Sequence, residues 1–143
     1  MDLTQWDTLR RALRELHRAL VERATRDYVR AHQRLLQPDP GELLQMLTKD
    51  PEFAWLRGLS ELMVDIDVAR DDGQNRDQLA PGIRTAVERF ILAPADMSTA
   101  DEFAQHYWPY VQEEPHVAMA HAAVKQAISG WPRRNPNGTA ANA

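Results

Sequence analysis

The sequence predicts an all-α fold, a compact single-domain bundle of about five or six helices with a long N-terminal helix. Apolar residues recur at three- and four-residue spacing through most of the chain, which is the period of an amphipathic helix. No segment alternates regularly between apolar and polar residues as a half-buried strand would. Asp-Pro pairs followed closely by glutamate, a typical helix start, come before two of the periodic segments.

The first helix is expected to begin at Thr4 as its N-cap, with Asp7 as the capping partner, and to continue to about Leu36. It should stop before Pro38, because a residue that precedes proline is disfavoured in the helical region. Seven residues form one apolar stripe along it: Leu9, Leu13, Leu16, Leu20, Ala24, Ala31 and Leu35.

A short second helix over residues 40–49 and a longer central helix over residues 51–70 are expected next. The aspartates that precede them, Asp39 and Asp50, are good N-caps, and each is followed by a first-turn proline. The central helix carries two apolar stripes, so it should contact more than one neighbouring helix. The main stripe is Trp55, Leu56, Leu59, Leu62, Met63 and Ile66, and the second is Phe53, Val64 and Val68.

The second half of the chain predicts three more helices after a polar loop at 71–78. The first of them should cover residues 81–92. Ser98 is a candidate N-cap for the next, with Asp101 as its partner, and Pro109 should kink or split that helix near Gln105. The last should cover residues 115–129 and end at Gly130.

The domain organisation follows from these elements. Residues 1–131 are expected to form the helical bundle. Residues 132–143 contain two prolines, one glycine and three asparagines, so they are expected to form a disordered tail.

A resemblance supports the helical prediction. The segment Leu47-Thr48-Lys49-Asp50-Pro51-Glu52-Phe53-Ala54-Trp55-Leu56, within residues 43–67, resembles an all-helical family of small bacterial proteins usually described as hypothetical. The resemblance implies a helical architecture and a bacterial source. It implies no activity and no mechanism.

Composition limits the classes of protein that the chain can represent. The 143 residues suit one domain, and the absence of cysteine excludes disulfides, thiolate metal sites and a cysteine nucleophile. No apolar run approaches the roughly 18–20 residues that span a bilayer, and the acidic start at residues 1–7 is unlike a secretory signal. We therefore expect a soluble, cytoplasmic protein without a membrane partner.

The arginines raise a nucleic-acid hypothesis. Residues 1–35 contain eight arginines against five acidic residues, although the whole chain has a net charge of −4. Acidic residues lie three or four positions from every arginine of this segment except Arg14 and Arg34, which favours a solvated, ion-paired face over a phosphate-binding one. Nucleic-acid binding remains an alternative; it would use Arg10, Arg14, Arg18, Arg26, Arg30 and Arg34.

Several polar residues lie on or beside apolar stripes, where they predict either satisfied core groups or a small-ligand pocket with a titratable imidazole. Glu102 and His106 share a helix face four residues apart and are weak candidates for a metal site or an ion pair. Neither Glu-x-x-His on two helices nor His-Glu-x-x-His occurs, so no metal or other cofactor is expected. The candidate pocket residues are His17, Asp27, Tyr28, Tyr107 and His121.

The sequence favours a non-enzymatic interaction protein that self-associates or binds a protein partner. No glycine-rich loop follows a strand, and no serine lies in a nucleophile motif, so an enzyme is disfavoured. Aromatic residues and unpaired arginines are typical of protein interfaces. The candidate interaction residues are Trp108, Tyr110, Trp131, Arg14 and Arg34.

Overall fold

The computed structural model describes residues 1–134, and it confirms the all-α fold with a long first helix. The described residues form six α-helices and no β-strand. The helices are α1 (Leu3–Ala31), α2 (Pro40–Lys49), α3 (Arg57–Asp71), α4 (Arg76–Ile91), α5 (Glu102–Glu113) and α6 (Pro115–Ile128). Two short 3-10 helices, Pro51–Leu56 and Met97–Thr99, precede α3 and α5. The predicted tail at 132–143 lies mostly outside the described residues.

Helix α1 is the axis of the bundle. It packs most extensively against α6, then against α3, and it also contacts α5. The apolar stripe predicted for it is buried from Leu9 to Ala24, and Trp6 extends the buried side by one turn toward the N-terminus. Ala31 and Leu35 are exposed, the latter to 99%, so the stripe ends earlier than its spacing predicts.

The N-cap of α1 is Asp2, and the prediction of Thr4 was wrong. The side-chain Oδ1 of Asp2 accepts a hydrogen bond from the backbone N–H of Gln5 at 3.1 Å. The Gln5 Oε1 accepts one from the backbone N–H of Asp2, also at 3.1 Å. This reciprocal capping box satisfies two N–H groups, and Thr4 lies inside the helix.

Helix α1 ends at Ala31, five residues before the predicted end at Leu36. Gln33 takes a left-handed backbone conformation, with φ 52°, and the N–H of Arg34 donates to the carbonyl of Val29 at 2.9 Å. This is the hydrogen-bond pattern of a Schellman motif, which usually has glycine at the left-handed position. Because glutamine occupies it, the sequence carries no visible stop signal there.

The predicted central helix is divided. Residues Pro51–Leu56 wind as a 3-10 helix, and α3 follows from Arg57. A 3-10 helix has three residues per turn, so a stripe extrapolated at the α-helical period loses its phase across this junction. Phe53 lies in the 3-10 helix and is buried. Val64 and Val68 lie on the side of α3 opposite the buried Ile66, and they are 60% and 66% exposed. The prediction that these three residues form one packed stripe was wrong.

Three features of the helices in the second half of the chain differ from the prediction. Helix α4 begins at Arg76 and continues through the buried Pro81, five residues inside it. Helix α5 continues through Pro109 without a break. Its N-cap is Asp101, whose carboxylate accepts from the N–H of Ala104 at 2.9 Å, while Ser98 belongs to the preceding 3-10 helix.

The C-terminal end of the described chain folds back onto the start of α1. The ring centroids of Trp131 and Trp6 are 4.6 Å apart. Arg84, buried in α4, donates to the carbonyl oxygens of Ser129, at 3.3 Å, and of Trp131. Within residues 1–134, no helix has both the length and the apolar character needed to cross a bilayer.

Candidate functional site

The outward side of α6 consists mainly of apolar and small residues, with the exposed Lys125 at one edge. Glu114 precedes the helix, and Pro115 begins it at a position where its missing N–H needs no partner. The inward side places Val117, Val124 and Ile128 in the core. By the helical period, the opposite side presents Pro115, Met119, Ala122, Ala123 and Gln126, all of which are exposed. We call these five residues the α6 outer face.

A shallow groove of about 770 Å³ lies beside this face, between α6 and the first half of α1. Small residues create it, because Ala123, Ala127 and Gly130 leave space that larger side chains would fill. The other lining residues are Thr4, Gln5, Thr8, Arg11, Ala12, Glu15, Gln126 and Ser129. We call this space the α1–α6 groove.

Arg11 and Glu15 are the charged residues that line the groove, and Glu15 also contacts the start of α6. The Nε2 atom of His116 is 2.7 Å from Oε1 of Glu15, and its Nδ1 atom is 3.9 Å from Oε2 of Glu22. These side chains tie the start of α6 to α1. An uncharged centre with a polar rim is the usual arrangement of a protein interface.

The five predicted pocket residues do not converge on one cavity. The Nε2 atom of His17 is 3.0 Å from Oγ of Ser60, which joins α1 to α3. The hydroxyl of Tyr107 is 2.6 Å from Nδ1 of His121, which joins α5 to α6. Each of these polar groups therefore has its own partner, as expected for satisfied core side chains.

Burial keeps the imidazoles and the tyrosine neutral. It lowers the pKa of His17, because the charged imidazolium loses hydration. Burial also lowers the pKa of His121, and the positive charge of Lys125 adds to that effect. Burial raises the pKa of Tyr107 far above its ordinary value. The Tyr107–His121 pair is thus a contact between two neutral groups at neutral pH.

Asp27 pairs with a predicted interaction residue, Tyr110. The Tyr110 hydroxyl donates to Oδ2 of Asp27 at 2.8 Å, and the guanidinium of Arg23 lies 4.8 Å from the centre of the Tyr110 ring. Arg23 also binds Asp27 at 3.2 Å and Glu113 at 3.1 Å. Burial raises the pKa of Tyr110, and the hydrogen bond to Asp27 raises it further. The hydroxyl and the ring of Tyr110 therefore both make contacts within the chain.

The other predicted interaction residues differ in burial and in their polar partners. Trp131 is 2% exposed, so its ring packs inside the bundle. Trp108 is half-buried against Tyr107 and His121, and its Nε1 atom has no hydrogen-bond partner within residues 1–134. Arg34 binds Glu42 at 2.8 Å. Arg14 is exposed and makes no ion pair in the described part of the chain.

A second cavity, of about 240 Å³, lies between the end of α1, the 3-10 helix at 51–56 and α5. The weak metal candidates, Glu102 and His106, are both on its wall, and the His106 ring is stacked on Trp55 at 4.8 Å. Among the described residues, no three histidine or acidic side chains come together in a way that could hold a metal ion.

The α6 outer face was not predicted, although the sequence contains a pattern that indicates it. A helical projection of residues 115–128 places Met119 beside Pro115, Ala122 and Gln126, with Lys125 at the edge of that face. The second cavity had no such signal, because its walls come from three segments that are distant in the sequence.

No protein-family model matches the chain, and no curated protein or solved structure matches it either. The resemblance noted for residues 43–67 stays a prediction.

Proposed function

We propose that the chain is a non-enzymatic interaction protein that forms a two-fold symmetric homodimer through the α6 outer face. The observation that supports this proposal is an exposed helix face of apolar and small residues, centred on Met119 and Ala122 with Lys125 at its edge, in a chain of which 27% is charged. Met119 is 72% exposed. An isolated apolar residue on a surface is ordinary, but an apolar face beside a groove floored by small residues favours a contact.

The proposed contact places the α6 outer face of one copy against the α1–α6 groove of the other. A two-fold axis beside Ala122 would align the two α6 helices antiparallel, and a contact made by one copy would then be repeated by the other. Met119 would lie opposite residues 123–127 of the second copy, where Ala123 and Ala127 line the groove. Lys125 lies in the same segment, and its flexible side chain would have to extend to solvent at the edge of the contact. Each methionine side chain would thus enter the groove of the other copy.

Energetics place such a dimer at moderate affinity. Burying a methionine side chain stabilises a complex by about 1.5–3 kcal/mol, and the symmetric contact buries two. Alanine side chains lose no rotamer freedom, so the two helices can approach to about 8–10 Å between axes at little entropic cost. Association entropy offsets part of this gain, and a dissociation constant of about 1 μM corresponds to about 8 kcal/mol. For a dimer that forms at micromolar concentration, the alanine and groove contacts would therefore have to contribute the remainder.

Sedimentation equilibrium over a range of micromolar concentrations tests the proposal. We expect the mass to approach twice 16.3 kDa for the natural sequence and to stay at the monomer mass for Met119→Glu, because that carboxylate would have to lose its hydration in the contact. Val64→Glu is the matched control, since Val64 is similarly exposed on α3. A natural chain that stays monomeric, or a control that dissociates equally, contradicts the proposal.

Ion pairing of the arginines favours protein contact over nucleic-acid contact. Five of the eight arginines in residues 1–35 bind acidic side chains in the described structure: Arg10, Arg18, Arg23, Arg26 and Arg34. Arg10 also binds Asp67 at 2.6 Å. A paired guanidinium must give up its carboxylate before it can neutralise a phosphate, so the basic segment offers little free positive charge.

A further inference from the structure

Three leucines at one end of the bundle are exposed to solvent. Leu35 and Leu36, in the loop between α1 and α2, are 99% and 77% exposed, and Leu44 on α2 is 60% exposed. The ion pair between Arg34 and Glu42, at 2.8 Å, holds this loop against the first turn of α2, two residues before Leu44. We call Leu35, Leu36 and Leu44 the leucine patch. Large apolar side chains grouped on a surface are typical of an interaction site.

Positive charge lies on both sides of the leucine patch along the chain. Arg30, in the last turn of α1, and Lys49, in the last turn of α2, are exposed and make no ion pair within residues 1–134. The nearby acids already have partners, because Asp39 accepts from the N–H of Glu42 at 2.8 Å and Glu42 binds Arg34. The end of the bundle that carries the leucines therefore offers unpaired cations to a partner.

The outer side of α3 combines exposed apolar residues with unpaired acids. Val64 and Val68 are exposed one turn apart, and Glu61 and Asp65 lie beside them at helical spacing. Neither of these two carboxylates makes an ion pair in the described part of the chain. We call these four residues the α3 outer face. It is an apolar strip bordered by free negative charge.

The leucine patch and the α3 outer face are complementary in charge. Residues 30–49 contain three basic and two acidic side chains, whereas α3 contains four acidic and two basic ones. A contact between the two surfaces would cover apolar groups on both sides and bring acids toward unpaired cations. Both surfaces stay exposed within one copy, so a second copy is a partner that supplies the matching surface.

We propose that the leucine patch of one copy binds the α3 outer face of a second copy in a head-to-tail contact. Such a pair keeps one free surface of each kind, so association continues into rings or open chains. The contact is independent of the α6 outer face, which lies on another helix. It forms once per pair and immobilises loop side chains, so we expect it above about 100 μM, beyond the micromolar range of the α6 dimer.

Mixing two variants tests the proposal. Both are made in a Met119→Glu parent, which removes the proposed α6 contact. Leu36→Glu disables the leucine patch and Val64→Glu disables the α3 outer face, and both positions are exposed, so the fold should be retained. By sedimentation equilibrium, we expect each variant alone to stay monomeric. The equimolar mixture should reach twice the monomer mass and no more, because one intact surface of each kind remains.

Charge variants of the same parent test the complementarity. Asp65→Asn and Lys49→Gln should each weaken association by about two- to fivefold, the effect of losing one exposed ion pair. Leu92→Glu is the matched control, because Leu92 is exposed but belongs to neither surface. We expect this control to associate as the parent does, into species larger than a dimer.

A parent that stays monomeric at about 1 mM overturns the proposal, whether or not its leucine patch binds phosphatidylglycerol vesicles or an unrelated protein. The proposal is also overturned if the mixture associates no more than its components, or if Leu92→Glu associates as weakly as Leu36→Glu. An affinity unchanged by both charge substitutions overturns it as well. Failure of the α6 dimer would leave these outcomes unaffected, because every variant carries Met119→Glu.

Discussion

The hydroxyl of Tyr107 lies 2.6 Å from Nδ1 of His121, and this contact joins α5 to α6 inside the bundle. Tyr107 is fully buried, and its ring also packs against Phe103, Trp108 and the His121 ring itself. The pair fixes the position of α6 from its inner side. Since α6 also presents the proposed dimer face, the pair supports that face without belonging to it.

Tyr107→Phe should destabilise the fold by about 1–2 kcal/mol, because the buried side of His121 loses its hydrogen-bond partner. Urea denaturation of the single variant measures this change. A double-mutant cycle with His121→Gln should show a coupling free energy of about 1 kcal/mol. Additive effects of the two substitutions would indicate that the hydrogen bond contributes nothing.

The free energy of unfolding should fall as the pH decreases below about 6.5, the ordinary histidine pKa in an unfolded chain. The folded-state pKa values of His17 and His121 are lowered, so the unfolded chain binds more protons in this range. Stability contributed by the neutral imidazoles is thus present above that pKa and lost as the pH falls toward the folded-state values. In His17→Gln, denaturation curves between pH 7 and pH 5 should show a smaller loss; an unchanged loss would exclude His17 as a cause.

Gln33→Gly should stabilise the fold by about 0.5–1 kcal/mol, because glycine adopts the left-handed conformation without the steric cost that a side chain carries. Thermal unfolding followed by circular dichroism measures the change. Gln37→Gly is the control, since among the described residues Gln33 alone has a positive φ without being glycine. Equal effects of the two substitutions would contradict the strain argument.

Trp131→Ala should destabilise the fold by about 3–5 kcal/mol, because it leaves a cavity beside Trp6. Leu35→Ala should change stability by less than about 0.5 kcal/mol, because Leu35 is almost fully exposed. Chemical denaturation of both variants provides the comparison. A Trp131 variant as stable as the Leu35 variant would show that residues 129–134 do not close the bundle.

The fold class could be predicted from the sequence because helical periodicity and Asp-Pro starts are local signals. The end of α1 could not be predicted, because Gln33 occupies the left-handed position where glycine usually marks the end of a helix. The exposure of Val64 and Val68 could not be predicted from their apolar character either, because it depends on whether another helix covers the side of α3 opposite Ile66.

The candidate sites were less accessible to prediction. Helical phase placed Tyr107 and His121 inward, but their contact depends on how α5 and α6 cross. Trp131 follows Gly130 and is an aromatic residue of the kind that is common at interfaces. Its ring nevertheless packs against Trp6 inside the bundle. That packing depends on the C-terminal turn and on Arg84, which lies 47 positions away in the sequence.

Disulfide formation by Ala122→Cys tests the central claim most directly. The natural chain has no cysteine, so the substitution introduces a single thiol beside the proposed two-fold axis. A disulfide requires the two Cα atoms to lie within about 7 Å, a spacing available only to residues close to the axis. We expect mild oxidation to convert the variant to a covalent dimer, while Val64→Cys stays monomeric on a non-reducing gel. An Ala122→Cys variant that stays monomeric, or forms no more dimer than Val64→Cys, would contradict the proposed interface.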